Sequence, residues 1–319
     1  MKKLKKMFII VQGDYGVNKM KEIKIQLPIE ELKEPIAVCL GNFDGIHIGH
    51  QKLINKTVEV AKENNLISAF FTFSPNPRKF FSKDRVYQLT SIEDRKELVK
   101  EYGIELFLEF IFNEVTMNLT AEQFVEEVLI PLNVKKIICG FDYTFGKFGA
   151  GKVKDLIELS KGRYEVIVIE ELEYLAKKVS TTRIMNELSN KNLQLVKDML
   201  SRDYSIRGTI VKGFNNGHKI GFPTINIDSE DYYLPGIGVY GLEIEIDGKL
   251  YKGVGNLGTH PTISELTSPI LEIYLIDFNQ EIYDKKVRIK FKKFLREEKK
   301  FSSVDDLKNQ IKIDTFSIF

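Results

Sequence analysis

The sequence predicts two domains of different fold class, an α/β domain followed by a mainly β domain. At 319 residues the chain is longer than a typical single domain, and 43% of its residues are hydrophobic, enough for two cores. Its first half alternates continuous apolar runs with amphipathic stretches, whereas after Tyr204 the strands become short and glycine becomes frequent. The polar stretch NELSNKNLQ lies between the halves, and we expect domains at 1–187 and 188–319.

The first half is predicted to form a doubly wound parallel sheet. Its apolar runs lie at 36–40, 67–73, 106–112, 136–140 and 165–170, with helical patterns between them at 47–63, 92–102, 121–129 and 153–161. Continuous apolar runs separated by helices are typical of a parallel sheet that is covered on both faces. A long helical stretch with a polar middle is expected at about 182–200.

The second half is predicted to form a small closed barrel with a terminal helix. The segment LEIEIDGKLYKGVG alternates apolar and polar residues on both sides of Asp247-Gly248, a strong signal for a two-residue hairpin. ILEIYLIDF and KKVRIKFKKFL alternate likewise. SSVDDLKNQI is typical of a helix capped by Ser302 or Ser303.

Charge and cysteine content narrow the class of protein. The 47 basic and 45 acidic residues give a net charge of +2, so neither nucleic acid nor a membrane surface is expected as the main partner. Residues 285–300 hold nine Lys or Arg against two acidic residues, but apolar and basic side chains alternate there. We therefore favour a strand with one solvated face over a nucleic-acid patch. Cys39 and Cys139 lie in apolar runs, so we expect buried, reduced thiols and a cytoplasmic protein.

Residues 1–19 are expected to be an extension of the first domain. The apolar run at 7–11 is shorter than the ~7–15 residues of a signal peptide, and nothing approaches the ~18 apolar residues of a membrane helix. Met20 is an alternative start of translation.

Two glycine-rich segments follow the first and fourth predicted strands, GNFDGIHIGH at 41–50 and CGFDYTFGKFGAG. If the strand order is 3-2-1-4-5, they face each other at the carboxyl edge of the sheet, where ligands bind in such folds. Gly45 and Gly49 allow close approach of a ligand to the backbone, and the helix beginning near His47 offers unpaired N–H groups to a phosphate. His47 and His50 lie one turn apart and could both donate hydrogen bonds to phosphate oxygens.

Two other interpretations of these histidines stay open. The pair could bind a metal, although no second cluster of ligands is visible. The histidines could also be surface residues without a role. Neither a Walker A loop nor a G-x-G-x-x-G fingerprint occurs in this segment.

GNFDGIHIGH resembles the H-x-G-H signature of nucleotidyltransferases. With its Asn-Phe-Asp-Gly prefix it resembles the adenylyltransferase half of the bacterial bifunctional riboflavin kinase/FAD synthetase family, and FTFSPNPRKFF, CGFDYTFGKFGAG and VSTTRI follow in the family's order. The resemblance implies an HxGH-type nucleotidyltransferase domain that binds ATP through Asn42, Asp44, Gly45, His47, His50, Asp142, Thr181, Thr182 and Arg183. It implies that the two histidines contact the ATP phosphates and act in catalysis. Asn76 and Met185 depart from the family's usual histidine and arginine, and we expect weaker binding of ATP or pyrophosphate from the second change.

A third glycine-rich segment, VKGFNNGHKIGFPTINI, lies in the second half and spans residues 211–227. Thr224 and Asn226 are two apart, so on a strand they share one face. A hydroxyl and an amide carbonyl are oxygen ligands that suit Mg²⁺. The alternative is a turn-rich barrel whose strand has a polar face without a ligand.

This segment resembles the riboflavin kinase signature, and GVYGLEI, GVGNLGTHPT, LEIYLIDFNQEIYDKKV and FLREEKKF follow in the family's order. The resemblance implies that Thr224 and Asn226 bind Mg²⁺ and ATP, that Glu272 is the catalytic base, and that Arg296 lies near the flavin. It implies further ATP contacts at Gly213, Gly217 and Gly221. His260, Tyr274 and Asp284 depart from the family's usual residues without touching the Thr-Asn-Glu set.

The implied function is bifunctional: ATP-dependent phosphorylation of riboflavin to FMN, then adenylyl transfer from ATP to FMN. The substrates are then ATP, riboflavin and FMN, with Mg²⁺ as cofactor. Three alternatives stay open: a riboflavin kinase with an impaired adenylyltransferase domain, a nucleotidyltransferase acting on another phosphate ester, and a flavin-binding regulator without catalysis. The oligomeric state is not predicted.

Overall fold

The computed structural model describes residues 20–211, 224–258, 270–278 and 282–318. By their contacts these residues form two compact units. The first unit is Met1–Val86 with Ser91–Lys178, and the second is Tyr87–Thr90 with Val179–Phe319. The domain boundary at 187/188 stays a prediction. The expected extension at 1–19 and the predicted site residues Gly213, Gly217 and Gly221, with His260, lie outside the described residues.

The first unit is built from ten strands and five helices in its described part. Its strands are β1 (Lys21–Ile25), β2 (Ile36–Leu40), β3 (Ile67–Ser74), β4 (Leu106–Ile111), β5 (Val134–Gly140), β6 (Thr144–Phe145), β7 (Gly151–Lys152), β8 (Glu165–Ile169), β9 (Glu173–Tyr174) and β10 (Lys177–Lys178). Its helices are α1 (Ile48–Glu63), α2 (Arg78–Phe81), α3 (Ile92–Glu101), α4 (Ala121–Phe124), which continues as a π-helical segment over Val125–Leu129, and α5 (Val153–Ser160).

Six strands form one parallel sheet in the order β1-β4-β3-β2-β5-β8. The five predicted strands therefore have the order 3-2-1-4-5, and the doubly wound prediction is confirmed. A core lies on each face of the sheet, since the successive residues Phe70 and Phe71 of β3 belong to different apolar clusters. The edge strand β1 was not predicted, because KEIKI is short and half exposed.

The second unit contains a closed barrel and three helices in its described part. Its elements are α6 (Thr181–Ser189), α7 (Leu193–Leu200), β11 (Ser205–Val211), β12 (Thr224–Asp228), β13 (Gly238–Ile246), β14 (Lys249–Gly258), β15 (Ile270–Leu275), β16 (Lys286–Arg296) and α8 (Val304–Phe316). The barrel is antiparallel in the order β11-β12-β15-β14-β13-β16, which confirms the predicted fold class.

Local predictions in the second unit are confirmed, and the structure refines one of them. Asp247 and Gly248 form the two-residue turn between β13 and β14, with φ of 50° and 76°. Ser303 caps α8 by accepting a hydrogen bond from the Asp306 N–H at 3.1 Å. The helical stretch expected at 182–200 consists of two helices, because α6 and α7 are separated at Lys191, whose φ of 62° is incompatible with a continuous helix.

Strand β16 lies within the basic segment at 285–300. Val287, Ile289 and Phe291 are buried, Arg288 and Lys290 between them are half-buried, and Lys286 and Lys292 on either side are exposed. The alternating burial agrees with the predicted strand that has one solvated face. Among the residues that the structure describes, no helix has the length and apolar character needed to cross a membrane.

Candidate active sites

A cavity of about 540 Å³ opens at the carboxyl ends of β2 and β5 in the first unit. Gly41, Asn42 and Phe43 line it from one glycine-rich segment, and residues 140 and 142–146 line it from the other. The two segments therefore share one cavity, as the strand order predicts. Aromatic side chains supply much of the remaining wall, which is a surface that suits a flat ring system. They are Phe73, Phe81, Phe110, Phe112, Phe124 and Phe148.

The two histidines meet at the start of α1. His47 is the N-cap, and its Nδ1 accepts a hydrogen bond from the His50 N–H at 3.3 Å. The imidazole rings stack with centroids 3.6 Å apart and an interplanar angle of 16°. His50 lines the cavity, whereas His47 is buried beside it. With Nδ1 as acceptor, the proton of a neutral His47 is on Nε2, where it can be donated to an anion.

A steric contact explains why the third position of H-x-G-H is glycine. A Cβ atom at Gly49 would lie 3.2 Å from both Cε1 and Nδ1 of His47, closer than an ordinary van der Waals contact. The imidazole folds back over the first turn and occupies the space that a side chain at position 49 would need. The spacing of the motif therefore follows from the position of the His47 ring.

The loop before α1 holds the other predicted residues of this segment. The side-chain Oδ1 of Asn42 is buried, lines the cavity and has no hydrogen-bond partner within the described part of the chain. Asp44 is buried as well, but its carboxylate lies 3.9 Å from the guanidinium of Arg95 on α3 and is not part of the cavity wall. Gly45 has a φ of 85°, in the region that favours glycine.

Sequence reasoning missed Arg95. The signal was available, because Arg95 follows Ile92 by three residues and precedes Val99 by four, which places a charge on the buried stripe of a helix. A fully buried arginine requires polar partners, and here the loop before α1 provides them.

The second segment brings Asp142 and Tyr143 to the cavity. The hydroxyl of Tyr143 is buried and, like Asn42 Oδ1, lacks a hydrogen-bond partner among the residues described. Burial raises the pKa of Tyr143 above its usual range, so the hydroxyl stays protonated and can donate. Buried polar atoms left unsatisfied in a cavity are candidates for contact with a ligand.

Asp142 is paired with a lysine that the sequence did not single out. Lys178 Nζ lies 2.6 Å from Asp142 Oδ2 and 3.2 Å from Glu171 Oε2. The hydrogen bond to Asp142 is the main cause of a raised pKa for Lys178. Asn76, which stands where the family usually has histidine, lines the same cavity and is 6% exposed. Its Oδ1 accepts a hydrogen bond from the Arg78 N–H at 3.1 Å.

Thr181, Thr182 and Arg183 form the first turn of α6. Ser180 caps this helix and accepts a hydrogen bond from the Arg183 N–H at 3.2 Å. By its contacts α6 belongs to the second unit, where Met185 is half-buried.

The second candidate site lies on the outer face of the barrel. In the antiparallel register of β12 and β15, Asn226 is opposite Glu272 and Thr224 is opposite Tyr274. The Thr224 hydroxyl donates a hydrogen bond to Glu272 Oε1 at 2.5 Å. Leu271 and Ile273, on either side of Glu272, are fully buried in the core, so the carboxylate points out of the barrel.

Two further residues adjoin this face. Asn256 of β14 is opposite Glu272 on its other side, and its Nδ2 donates to Glu298 Oε1 at 2.9 Å. Sequence reasoning missed Asn256, because only the pairing of β14 with β15 brings it there. Arg296 is held by the buried carboxylate of Asp314 on α8, with Nη2 2.8 Å from Oδ2 and Nε 3.1 Å from Oδ1.

Comparisons with known proteins identify a family for each half of the chain. The family model for FAD synthetase matches residues 29–183, and the model for riboflavin kinase matches residues 200–318. A protein of Bacillus subtilis (strain 168) named bifunctional riboflavin kinase/FMN adenylyltransferase is 36% identical over 303 residues, covering 92% of this chain and 96% of that protein. A protein of the same name from Listeria monocytogenes is 34% identical over 280 residues, covering 87% and 89%.

One solved structure is similar along most of the chain. It is titled as a macrolide-efflux protein from Streptococcus pneumoniae, with a TM-score of 0.84, 29% identity, and coverage of 93% of this chain and 98% of that one. The likeness supports the fold of both units. With both family models matched in order and relatives aligned over most of their length, the chain belongs to the bifunctional riboflavin kinase/FMN adenylyltransferase family.

Proposed function

We propose that the second unit phosphorylates riboflavin to FMN and that the first unit adenylylates FMN to FAD, both with ATP. The observation that supports this proposal is that each unit brings polar side chains suited to its reaction into contact with one another. The first unit has stacked histidines at a helix N-terminus beside an aromatic cavity. The second unit has a threonine hydroxyl hydrogen-bonded to a strand carboxylate.

In the first reaction of this scheme, Glu272 takes the proton of the terminal ribityl hydroxyl. The hydroxyl oxygen forms a bond to the γ-phosphorus of ATP, the bond from that phosphorus to the bridging oxygen breaks, and ADP leaves. A carboxylate within hydrogen-bonding reach of the nucleophile is the usual base for such a step. The Thr224 hydroxyl, already bonded to Glu272, fixes the rotamer of the carboxylate.

The donor set on this face fits Mg²⁺. Thr224 supplies a hydroxyl oxygen and Asn226 an amide oxygen from one side of β12, and hard oxygen ligands are what Mg²⁺ takes. No cluster of three or more His, Cys, Asp or Glu that could hold a metal occurs among the described residues. Thr224 and Asn226 would thus hold the ion together with ATP phosphates, and when bound it neutralises charge on the phosphates.

In the second reaction an oxygen of the FMN phosphate attacks the α-phosphorus of ATP, and pyrophosphate leaves. No protein nucleophile takes part, so positioning and charge stabilisation supply the catalysis. His47 Nε2–H, the His50 imidazole and the N–H groups of Ile48 and Gly49 in the first turn of α1 donate to the phosphate oxygens. Asn42, Asp44, Gly45 and Asp142 are proposed to surround the nucleotide, with Thr181–Arg183 at its pyrophosphate end.

The remaining assignments belong to the same proposal. Gly213, Gly217 and Gly221 contact ATP in the kinase half, and Arg296 lies near the flavin. The two domains are 1–187 and 188–319. The protein works in the cytoplasm, consistent with two free, buried cysteines.

A time course of flavins tests the proposal. Purified protein is incubated with riboflavin, ATP and Mg²⁺, and riboflavin, FMN and FAD are separated by chromatography. We expect FMN to rise first and FAD to follow. FMN without FAD would leave a kinase only, and bound riboflavin without any product would refute catalysis.

Two variants assign the activities to the halves. His50→Ala should lower FAD formation by about 10²–10³-fold, the loss typical of one donor to a transition-state oxyanion. Glu272→Gln keeps an acceptor for Thr224 but is no base, so FMN formation should fall by about 10²–10⁴-fold. Each variant should keep the other activity, with FMN supplied directly to Glu272→Gln. Glu243→Gln is the control and should keep both activities, because this carboxylate lies on β13, separated from β15 by β14, and pairs with Lys290 at 2.8 Å.

A further inference from the structure

A buried arginine of α3 holds the loop that leads into α1. Arg95 is 2% exposed. Its Nη1 donates to the backbone carbonyl of Asn42 at 3.2 Å and to the Thr72 hydroxyl oxygen at 3.2 Å. The Thr72 hydroxyl in turn donates to the same carbonyl at 3.1 Å. One carbonyl of the loop is therefore fixed from a helix and from a strand of the sheet.

The arginine also balances a charge in the loop. The carboxylate of Asp44, 4% exposed, has Oδ1 3.9 Å from Arg95 Nη2. Removing one member of a buried ion pair leaves the other charge uncompensated, which is strongly unfavourable. Asn42 lines the cavity, whereas neither Asp44 nor Arg95 is part of its wall, so the arginine holds the loop from outside the cavity wall.

The loop has a conformation that needs such support. Phe43 and Ile46 have φ of 51° and 42°, although both are non-glycine residues and both are fully buried. Positive φ is a true outlier for a β-branched or bulky residue and persists only where the surroundings enforce it. Gln51 Nε2 supports the loop by donating to the Ile46 carbonyl at 3.0 Å.

The shape of the loop sets the position of His50. The ring of Phe43 contacts the His50 imidazole edge to face, with centroids 5.2 Å apart. A shift of the backbone at Asn42 moves Phe43, the next residue, and with it the packing surface of His50. Arg95 is thereby connected to a cavity-lining histidine without lining the cavity itself.

We propose that Arg95 is a positioning residue for adenylyl transfer. It keeps residues 41–47 in the strained conformation that presents Asn42 and His50 to the phosphates of ATP, and it does not contact the substrates. This inference rests on the function proposed above for the first unit.

The test measures kcat and KM for ATP in FAD formation from FMN. Urea unfolding of the first unit controls for its folding, and riboflavin phosphorylation by the same preparation controls for the second unit. Arg95→Met keeps the length of the side chain but removes its charge and donors. We expect it to lower kcat by roughly 10- to 100-fold, as for a misplaced catalytic group, with a much smaller change in KM. Arg95→Lys can again neutralise Asp44 and donate to the Asn42 carbonyl, so it should recover most of the loss.

The neighbouring Lys96 provides a matched control. It lies on the same helix, but its Nζ pairs with Glu22 at 2.8 Å and Glu109 at 3.5 Å instead of the loop. Lys96→Met should leave both kinetic constants of FAD formation unchanged, which would separate the loop contacts of Arg95 from a general loss of charge on α3.

Each outcome decides the proposal. An unchanged kcat in Arg95→Met, or Arg95→Lys no better than Arg95→Met, overturns it. If Arg95→Met does not fold, Thr72→Val decides, because it removes the hydroxyl that bridges Arg95 and Asn42. An unchanged kcat in Thr72→Val overturns the proposal, and a lowered kcat supports it. Wild-type protein that forms no FAD refutes the proposed function itself, and the positioning role with it.

Discussion

At the scale of single residues, the start of α1 is arranged around a missing side chain. Gly49 lies in the first helical turn, where alanine would normally stabilise a helix by about 0.5–1 kcal/mol relative to glycine. The His47 ring occupies the space of its Cβ, however. Gly49→Ala should displace that ring and lower FAD formation by between about 10- and 100-fold, because a misplaced donor loses its alignment with the phosphate.

The control for this substitution is another glycine of the first unit. A Cβ atom at Gly162 would have nothing within 4 Å. The φ of 77° makes Gly162→Ala cost backbone strain of about 1 kcal/mol, but the methyl group lies away from the cavity, so the variant should keep FAD formation. Both variants should phosphorylate riboflavin normally. Full FAD formation by Gly49→Ala would show that the position of the His47 ring does not matter for the reaction.

The sequence predicted those site residues that lie close together along the chain, and it missed those that packing brings together from distant segments. His47, His50 and Gly49 lie in one decapeptide, so their proximity follows from helical spacing alone. Arg95, Tyr143 and Asn256 reach their sites through packing between distant segments, and no short motif records that. Asp44 is in the motif, yet its burial against Arg95 became visible only in the structure.

At the scale of elements, two hairpins of the same type carry very different turn residues. Asp247-Gly248 has the residues that a type I′ turn favours, and the sequence predicted it. Leu175-Ala176, between β9 and β10, has φ of 51° and 54° without either residue favouring that region, so it was not predictable. The same limit applies to the end of α6, where Lys191 rather than glycine takes the positive φ.

The unfavourable turn gives a prediction about stability. Leu175 is 70% exposed, so little packing is lost when it is replaced. The double substitution Leu175→Asn/Ala176→Gly should raise the free energy of unfolding of the first unit by about 1 kcal/mol. The left-handed conformation costs ~1–2 kcal/mol for each ordinary residue, and the substitutions relieve this cost. Part of the relief is offset because glycine gives the unfolded chain more conformational freedom. Urea unfolding of wild type and variant measures it.

The opposite change in the other hairpin is the matched control. Gly248 has a φ of 76° and open space around a new Cβ, so Gly248→Ala meets only backbone strain. It should lower the stability of the barrel by about 1 kcal/mol. A loss of stability in the Leu175/Ala176 double variant would mean that the β9–β10 turn is held by contacts of its present residues.

At the scale of the whole molecule, the two cysteines offer a probe of one unit alone. The chain has two cysteines, Cys39 and Cys139, and both belong to the first unit. They are free and buried, and burial raises the pKa of each thiol to about 12. The thiolate is the reactive form, so we expect a thiol reagent such as Ellman's reagent to label them only when the first unit opens.

The pH dependence of that opening has a defined sign. A thiol whose pKa is higher in the folded state keeps its proton there after the unfolded chain has lost it. Its contribution to stability is therefore complete below the ordinary pKa of about 8.5 and is lost as pH rises from there toward 12. The urea midpoint of labelling should be lower at pH 9.5 than at pH 7.5. The difference corresponds to a loss of unfolding free energy on the order of 1 kcal/mol for each thiol.

Cys39→Ala tests the assignment, because it removes one of the two thiols and should reduce the difference between the two pH values while Cys139 still reports labelling. An equal difference in the variant would assign the pH effect to other groups, such as lysines. Rapid labelling of the native wild type without urea would mean that a thiol is accessible in the folded unit, contrary to the full burial of Cys39 and Cys139. Because the second unit has no cysteine, neither result depends on the barrel.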